Sequence, residues 1–463
     1  MEQTKEEPIN KVPLMIVLLS GAFVAILNQT LLATAIPHIM QDLNLDANTA
    51  QWLQTIFMLV NGIMIPITAF LIERFTTRGL FLTAVGTFAI GTLVCAIAPN
   101  FGILLSGRVL QAAGAGIIMP LMQTILFLVF PVEKRGSAMG MFGLVIAFAP
   151  AIGPTLSGYL VDHHHWRSLF YVILPIAIID IIVAYFILKN VTKQTFPKVD
   201  VLSIILSTVG FGGILYAFSV AGSGGWLHTE VLGSLIVGAV TLVLFILRQL
   251  KLEQPILEFR IFKNTTFTLT TAIGMVSFIA MIGGAVILPI LMQDMLGFTA
   301  LESGLMLLPG AVLMGLMNPV TGRLFDRFGA RWLAIIGLSI LVITTFMFSN
   351  ITMETTFVYL ATVNAARMFS ISMIMMPVTT AGLNQLPNQL MPHGSAMNNT
   401  MRQVAGAVGT ALLVSVMTTQ ADPAEGITGL IHGVNVSFIV AGIIAIAGLV
   451  MSFFIKNSRP GVA

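Results

Sequence analysis

Fourteen apolar stretches, each near the roughly 20 residues that cross a bilayer, divide this sequence and leave it one class of fold. They lie near 12–37, 50–72, 79–98, 102–130, 136–160, 168–188, 199–219, 230–249, 266–291, 303–323, 330–349, 356–381, 396–418 and 434–455. Only 9% of the 463 residues are charged, against about 25% in a soluble domain. Too few charges remain to coat a water-soluble particle, so lipid must be the solvent. The stretch Val12–Ile36 is too long for a signal segment and lacks a small-residue cleavage site, so it is expected to stay as a spanning helix.

An even number of spans puts both ends on one side, and the basic residues indicate which. With both termini cytoplasmic, 18 of the 22 Lys and Arg fall in inside segments and only Arg167 falls outside. Arg108, Arg367 and Arg402 lie within spans. That asymmetry is the positive-inside signature. The net charge of +3 averages over two sides of a membrane and gives no reason to expect nucleic-acid binding. Cys95 is alone, which excludes an intrachain disulfide, and no Cys/His cluster has zinc spacing. His163, His164 and His165 read as a solvated loop.

The chain repeats itself. Gly136-Ser137-Ala138-Met139 recurs as Gly394-Ser395-Ala396-Met397, an offset of 258. Ala151–Leu156 echoes Ala407–Leu412 at 256, Glu73-Arg74 echoes Asp326-Arg327 at 253, and Arg108 echoes Arg367 at 259. These offsets carry the first helix onto the ninth. The expected organisation is a six-helix bundle over 1–190, two inserted helices with linkers over 191–265, and a second six-helix bundle over 266–463. Each copy begins and ends inside, so the repeat is parallel, as in transporters that alternate access to a site between two halves.

Several motifs carry a family resemblance. They include Leu27-Asn28-Gln29-Thr30 running to Ile36-Pro37, Gly107-Arg108-Val109-Leu110-Gln111 with Met119-Pro120, Gly153-Pro154-Thr155-Leu156-Ser157-Gly158, and Gly322-Arg323-Leu324-Phe325-Asp326-Arg327-Phe328-Gly329. Together they resemble the fourteen-helix drug:proton antiporters of the major facilitator superfamily, most of all the lincomycin and multidrug exporters of Gram-positive bacteria. The resemblance implies an all-α major facilitator fold, with two six-helix bundles and two inserted helices, both termini cytoplasmic, in the bacterial cell membrane. It implies proton-coupled export of amphipathic drug-like molecules by a monomer. Asn28 stands where many relatives have Asp, which argues against a preference for cationic drugs. The first gating loop departs from the pattern, with Ala69 for Gly and Glu73 for Asp.

The candidate residues follow from chemistry that is costly in lipid. An Arg near a helix centre costs about 2.5–3.5 kcal/mol, so intramembrane charge suggests function. Arg108, Asp180, Asp294 and Arg367 are the proton-coupling candidates. Neutral polar and soft side chains, Asn28, Gln29, Gln54, Met58, Asn61, Gln111, Met119, Gln123 and Asn364, are candidates for lining the substrate path, and Thr34 adds a further neutral polar group in the first helix. Glu73, Arg74, Pro150, Gly153, Pro154, Gly158, Gly322, Asp326 and Arg327 are candidates for gating. Asp326 is expected to accept hydrogen bonds at the N-terminus of the eleventh helix and to pair with Arg323 or Arg327. Glu302 is expected to complement the start of the tenth helix. No metal site, cofactor or nucleotide-binding loop is expected, and enzyme chemistry is disfavoured. Two alternatives stay open: a dedicated exporter of one physiological solute or lipid, and a membrane sensor that does not transport.

Overall fold

In a computed structural model, residues 11–192 and 194–455 are described. Four residues behind the charge asymmetry, Lys5, Lys193, Lys456 and Arg459, lie outside the described residues, as does the side chain of Thr34. Fourteen helices long and apolar enough to span a membrane are present, and no strand occurs among the described residues.

The first six are α1 (Lys11–Leu43), α2 (Ala47–Arg74), α3 (Thr77–Ala96), α4 (Phe101–Val129), α5 (Arg135–His163) and α6 (Ser168–Ile187). The middle pair is α7 (Val201–Gly224) and α8 (Thr229–Lys251). The last six are α9 (Thr265–Ile290), α10 (Ala300–Phe328), α11 (Ala330–Met347), α12 (Phe357–Leu383), α13 (Met391–Thr419) and α14 (Ile427–Ser452).

Short connections work because capping residues satisfy the first backbone N–H groups. Asp46 accepts from the N–H of Thr49 at 2.9 Å and Asn100 from that of Ile103 at 3.0 Å. Thr299 and Glu302 form a reciprocal capping box at the start of α10. Glu302 therefore serves the helix end, as its position in the sequence suggests. Gly329 takes a φ of +78° in the one-residue turn between α10 and α11, a conformation that costs glycine nothing.

Within the first six helices, α4 packs on α1, α2 and α3, while α6 packs on α1, α3 and α5. In the last six, α12 lies against α9, α10 and α11, and α14 against α9, α11 and α13. The two sets meet along two seams, α5 on α10 and α2 on α13. The middle pair is attached asymmetrically. α7 lies against both α2 and α13, and α8 covers α7, so the pair closes one seam on its outer side. Arg248 grips Asp200 with two hydrogen bonds of 2.8 and 3.0 Å and ties the ends of α7 and α8 together. The far side of α8 exposes Ile236, Val237, Val240, Val243, Leu244 and Leu247, as a lipid-facing surface should.

Candidate functional site

Arg108 is fully buried in α4. Its Nε donates to the Leu53 carbonyl of α2 at 3.1 Å and its Nη1 to Gln111 Oε1 at 2.8 Å. The guanidinium stands over the Phe57 ring, 4.3 Å from the centroid, where the ring's negative face attracts it. Gln111 passes the network on, donating to Thr92 Oγ1 on α3 at 2.8 Å and to Asn28 Oδ1 on α1 at 3.3 Å. Four helices thus converge on one cation, joined by neutral groups. The structure brings Arg108 together with Gln111, which share a helix face in the sequence, and adds Asn28 and Thr92, which no spacing connected to them. Arg108 Nη2 and Asn28 Nδ2 are buried without a partner.

Its repeat mate has different surroundings. Arg367 of α12 is fully buried, but its Nη2 donates to the Ala280 carbonyl of α9 and its guanidinium lies beside the paired rings of Phe348 and Phe438, 6.0 and 5.8 Å from their centroids. Gly284 leaves it room; a Cβ there would strike Nη1. Asn364, one turn earlier, is fully buried with both amide atoms unpartnered. The third intramembrane arginine, Arg402 of α13, donates to the Thr379 hydroxyl and more weakly to the Met375 carbonyl at 3.5 Å. Among the described residues none of the three has a carboxylate partner.

The acids lie elsewhere. Asp180 of α6 is buried and accepts from the Ser20 hydroxyl of α1, beside Gly21. It occupies a seam inside the first six helices. Asp294 is exposed in a π-helical turn, Leu291–Met295, that continues α9. Of the neutral candidates, Gln29 and Met58 are exposed, and Gln54, Asn61 and Met119 are half-buried. Gln123 is buried and bonds across the halves, its Oε1 accepting from Asn399 Nδ2 at 2.8 Å.

The basic ends of the helices are locked together. Asp326, in the last turn of α10, accepts from Gly136 N at 2.8 Å, from Ser137 N at 2.8 Å and from Ser137 Oγ at 2.5 Å. This corrects the expectation of an acceptor at α11. The helix end that Asp326 caps belongs to α5, in the opposite half. It makes no ion pair with Arg323 or Arg327, which are exposed. The reason is geometric: α10 crosses α5 so closely that a Cβ on Gly140 would stand 2.5 Å from the Asn318 carbonyl. Gly322 faces Gly136 with the same closeness.

The repeat places a second closure opposite the first. Glu73, ending α2, lies 3.0 Å through Oε1 from His393 Nε2 at the start of α13. Arg74 turns instead to the Pro197 carbonyl at 2.9 Å. Arg135, at the start of α5, donates to Asn384 at 2.9 Å and Asn388 at 3.4 Å, across the halves. The repeat held a signal for two residues that motif reading missed. Arg135 and His393 each immediately precede the repeated Gly-Ser-Ala-Met.

The α5 hinge candidates divide. Gly153 is buried against Thr30 of α1, where a larger residue would collide, whereas Pro150 and Pro154 are exposed and Gly158 has no neighbour within 4 Å. The close seam of α5 is Gly136, Gly140 and Gly143, nearer its basic end. Among the described residues, every hydrogen bond between the first six helices and the last six lies in the basic-side part of the structure.

Comparison with known proteins agrees with this architecture. Residues 18–410 match the family model for the Major Facilitator Superfamily. The chain is 57% identical over 459 residues to the uncharacterized MFS-type transporter YcnB of Bacillus subtilis, covering 98% of this chain and 97% of that one. It is 44% identical over 460 residues to the lincomycin resistance protein LmrB of Bacillus subtilis, covering 96% of each. The multidrug export protein EmrB of Haemophilus influenzae is 30% identical over 396 residues, covering 85% of this chain and 78% of that one.

Proposed function

The chain belongs to the major facilitator superfamily, and on that premise we propose that it is a proton-coupled antiporter exporting amphipathic drug-like molecules by alternating access. It is a multi-pass membrane transporter and not an enzyme. The finer reading rests above all on the one-sided closure: among the described residues, every hydrogen bond between the first six helices and the last six lies toward the basic face. With that face cytoplasmic, as the charge asymmetry suggests, the structure is closed inside. Rocking the halves about the α5/α10 and α2/α13 seams breaks Asp326–Ser137 and Glu73–His393 and opens the path inward.

The energetics suffice. One charge moving through about 100 mV supplies about 2.3 kcal/mol, and each unit of pH gradient about 1.4 kcal/mol. With both, one proton per cycle sustains a gradient of roughly a few hundredfold for a neutral substrate. Arg108, held by neutral groups at a four-helix junction, is the coupling residue favoured by its geometry. Asp180 and Asp294 are the acids offered as proton carriers.

The test is proton flux driven by substrate in proteoliposomes bearing an imposed gradient. Arg108→Ala, Asp180→Asn and Asp294→Asn are run beside the parent chain. Coupling should collapse in Arg108→Ala and in one of the acid variants. Unchanged coupling in all three discards these assignments, and no substrate-dependent flux in the parent chain discards the exporter.

A further inference from the structure

We propose that His393 is a proton-binding site built into the inner closure, and that its protonation holds the transporter shut on the cytoplasmic side. The inference uses the exporter reading only to name that side.

His393 is 4% exposed at the start of α13, where three segments meet. Its Nδ1 lies 3.3 Å from the backbone N–H of Glu258, in the linker after α8. Its Nε2 lies 3.0 Å from Glu73 Oε1 at the end of α2. A backbone N–H only donates, so Nδ1 must be the acceptor. Nε2 then carries the hydrogen that Glu73 accepts. The ring is thus a neutral bridge from the first six helices, through the second six, to the linker.

An imidazole is the side chain whose ordinary titration falls between about pH 5 and 8. The one basic lone pair of this ring is on Nδ1, where it accepts from the Glu258 N–H. A proton arriving there displaces the Glu258 N–H and makes both nitrogens donors. The contact with Glu73, until then a neutral N–H on a carboxylate, becomes an imidazolium–carboxylate pair with a full charge on each side, which adds Coulomb attraction to the hydrogen bond. The half-to-half latch tightens while the linker loses its tether.

Among the described residues, the other charges at this face are occupied or exposed. The Glu258 carboxylate is taken by Arg260, which also binds the carbonyls of Leu250 and Leu252. Arg74 bonds Pro197, Arg135 bonds Asn384 and Asn388, and Asp200 bonds Arg248. Lys198, Lys251, Glu253 and Lys263 are exposed. Glu73 is left as the carboxylate on the ring. An exporter that admits a proton each cycle would thereby stop admitting them once the cytoplasm is acid.

The closure can be read without any substrate. A reporter cysteine replaces Met139, buried in α5 two residues beyond Ser137, in a chain carrying Cys95→Ala. Maleimide labelling of the purified protein is normalised to a cysteine at exposed Lys198. Between about pH 7.5 and pH 6 the parent should label about fivefold more slowly. His393→Gln still donates to Glu73 but does not titrate, so its rate should be flat. Glu73→Gln should also be flat, because the imidazolium then meets no carboxylate, and it decides the matter if His393→Gln does not fold. A flat parent, or a pH dependence surviving in either variant, overturns the proposal. Labelling that follows pH in a chain without drug flux would leave this site standing while the exporter reading fails.

Discussion

Asp326 and Ser137 hold opposite halves of the molecule together: the α10 carboxylate accepts both the backbone N–H of Ser137, at 2.8 Å, and its hydroxyl, at 2.5 Å. The same carboxylate takes the N–H of Gly136, so one side chain serves two otherwise unpaired donors of the α5 N-terminus.

Replacing that acceptor should open the basic face. Asp326→Asn keeps one oxygen but sets an amide NH2 against a donor. Hydrogen bonds to a charged group contribute about 1.5–3 kcal/mol. A loss of about 2 kcal/mol moves the open-to-closed ratio roughly thirtyfold. The Met139→Cys reporter should label correspondingly faster, and an unchanged rate would rule out Asp326 as a latch.

The α5/α10 seam should tolerate no side chain. With Asn318's carbonyl 2.5 Å from a Cβ on Gly140, Gly140→Leu must push the helices apart at a cost of about 1–3 kcal/mol. Spectroscopic distances between labels on the basic ends of α5 and α10 should lengthen, and transport should fall while the protein still inserts. A variant with parental distances and transport would show that the glycine is not what permits closure.

Asn28 offers a test of charge selection. Its Oδ1 accepts from Gln111, while Nδ2 has no acceptor. Asn28→Asp therefore keeps the existing bond and adds a negative charge, with Gln111 between it and Arg108. Cationic amphipaths should be poor substrates of the parent chain and better ones of Asn28→Asp. Competition assays with matched cationic and anionic amphipaths read this directly, and equal profiles for the two proteins would falsify it.

The corner where Asp42 meets Trp166 and Arg167 should respond to acid. Asp42 accepts from Trp166 Nε1 at 2.9 Å and Arg167 Nη1 at 3.0 Å. The Trp166 hydrogen bond, with help from Arg167 and His165 and against desolvation, holds its carboxyl below the ordinary 3.8. A depressed carboxyl stabilises the folded corner fully above the ordinary value, and that contribution fades as pH falls through the depressed one. Trp166 fluorescence should change below about pH 4. The transition should be absent in Asp42→Asn, and its persistence there would assign it to another group.

How much of this was legible in the sequence varies residue by residue. The spans were, because a bilayer demands long apolar runs and hydropathy is a local property. Arg108 with Gln111 was too, since three residues apart on a helix share a face. Thr92 was not, because nothing in α3 marks which of its turns will meet α4. The repeat pointed within one residue of Arg135 and His393 and showed no more, since those side chains acquire meaning only from the opposite half.

Hydropathy and charge placement, read along the chain, determine that there are fourteen spans and which ends of them are basic. These are properties of each segment against its solvent, so they need no knowledge of neighbours. Partnership belongs to tertiary structure. Only the packed helices show that Asp326 caps α5 rather than α11, that Arg367 reaches α9 where Arg108 reaches α2, and that α7 covers the α2/α13 seam. The physical reason is that a buried donor or acceptor bonds whatever the crossing helix presents. Glycine and side-chain shape over whole interfaces, not local sequence, decide where helices cross.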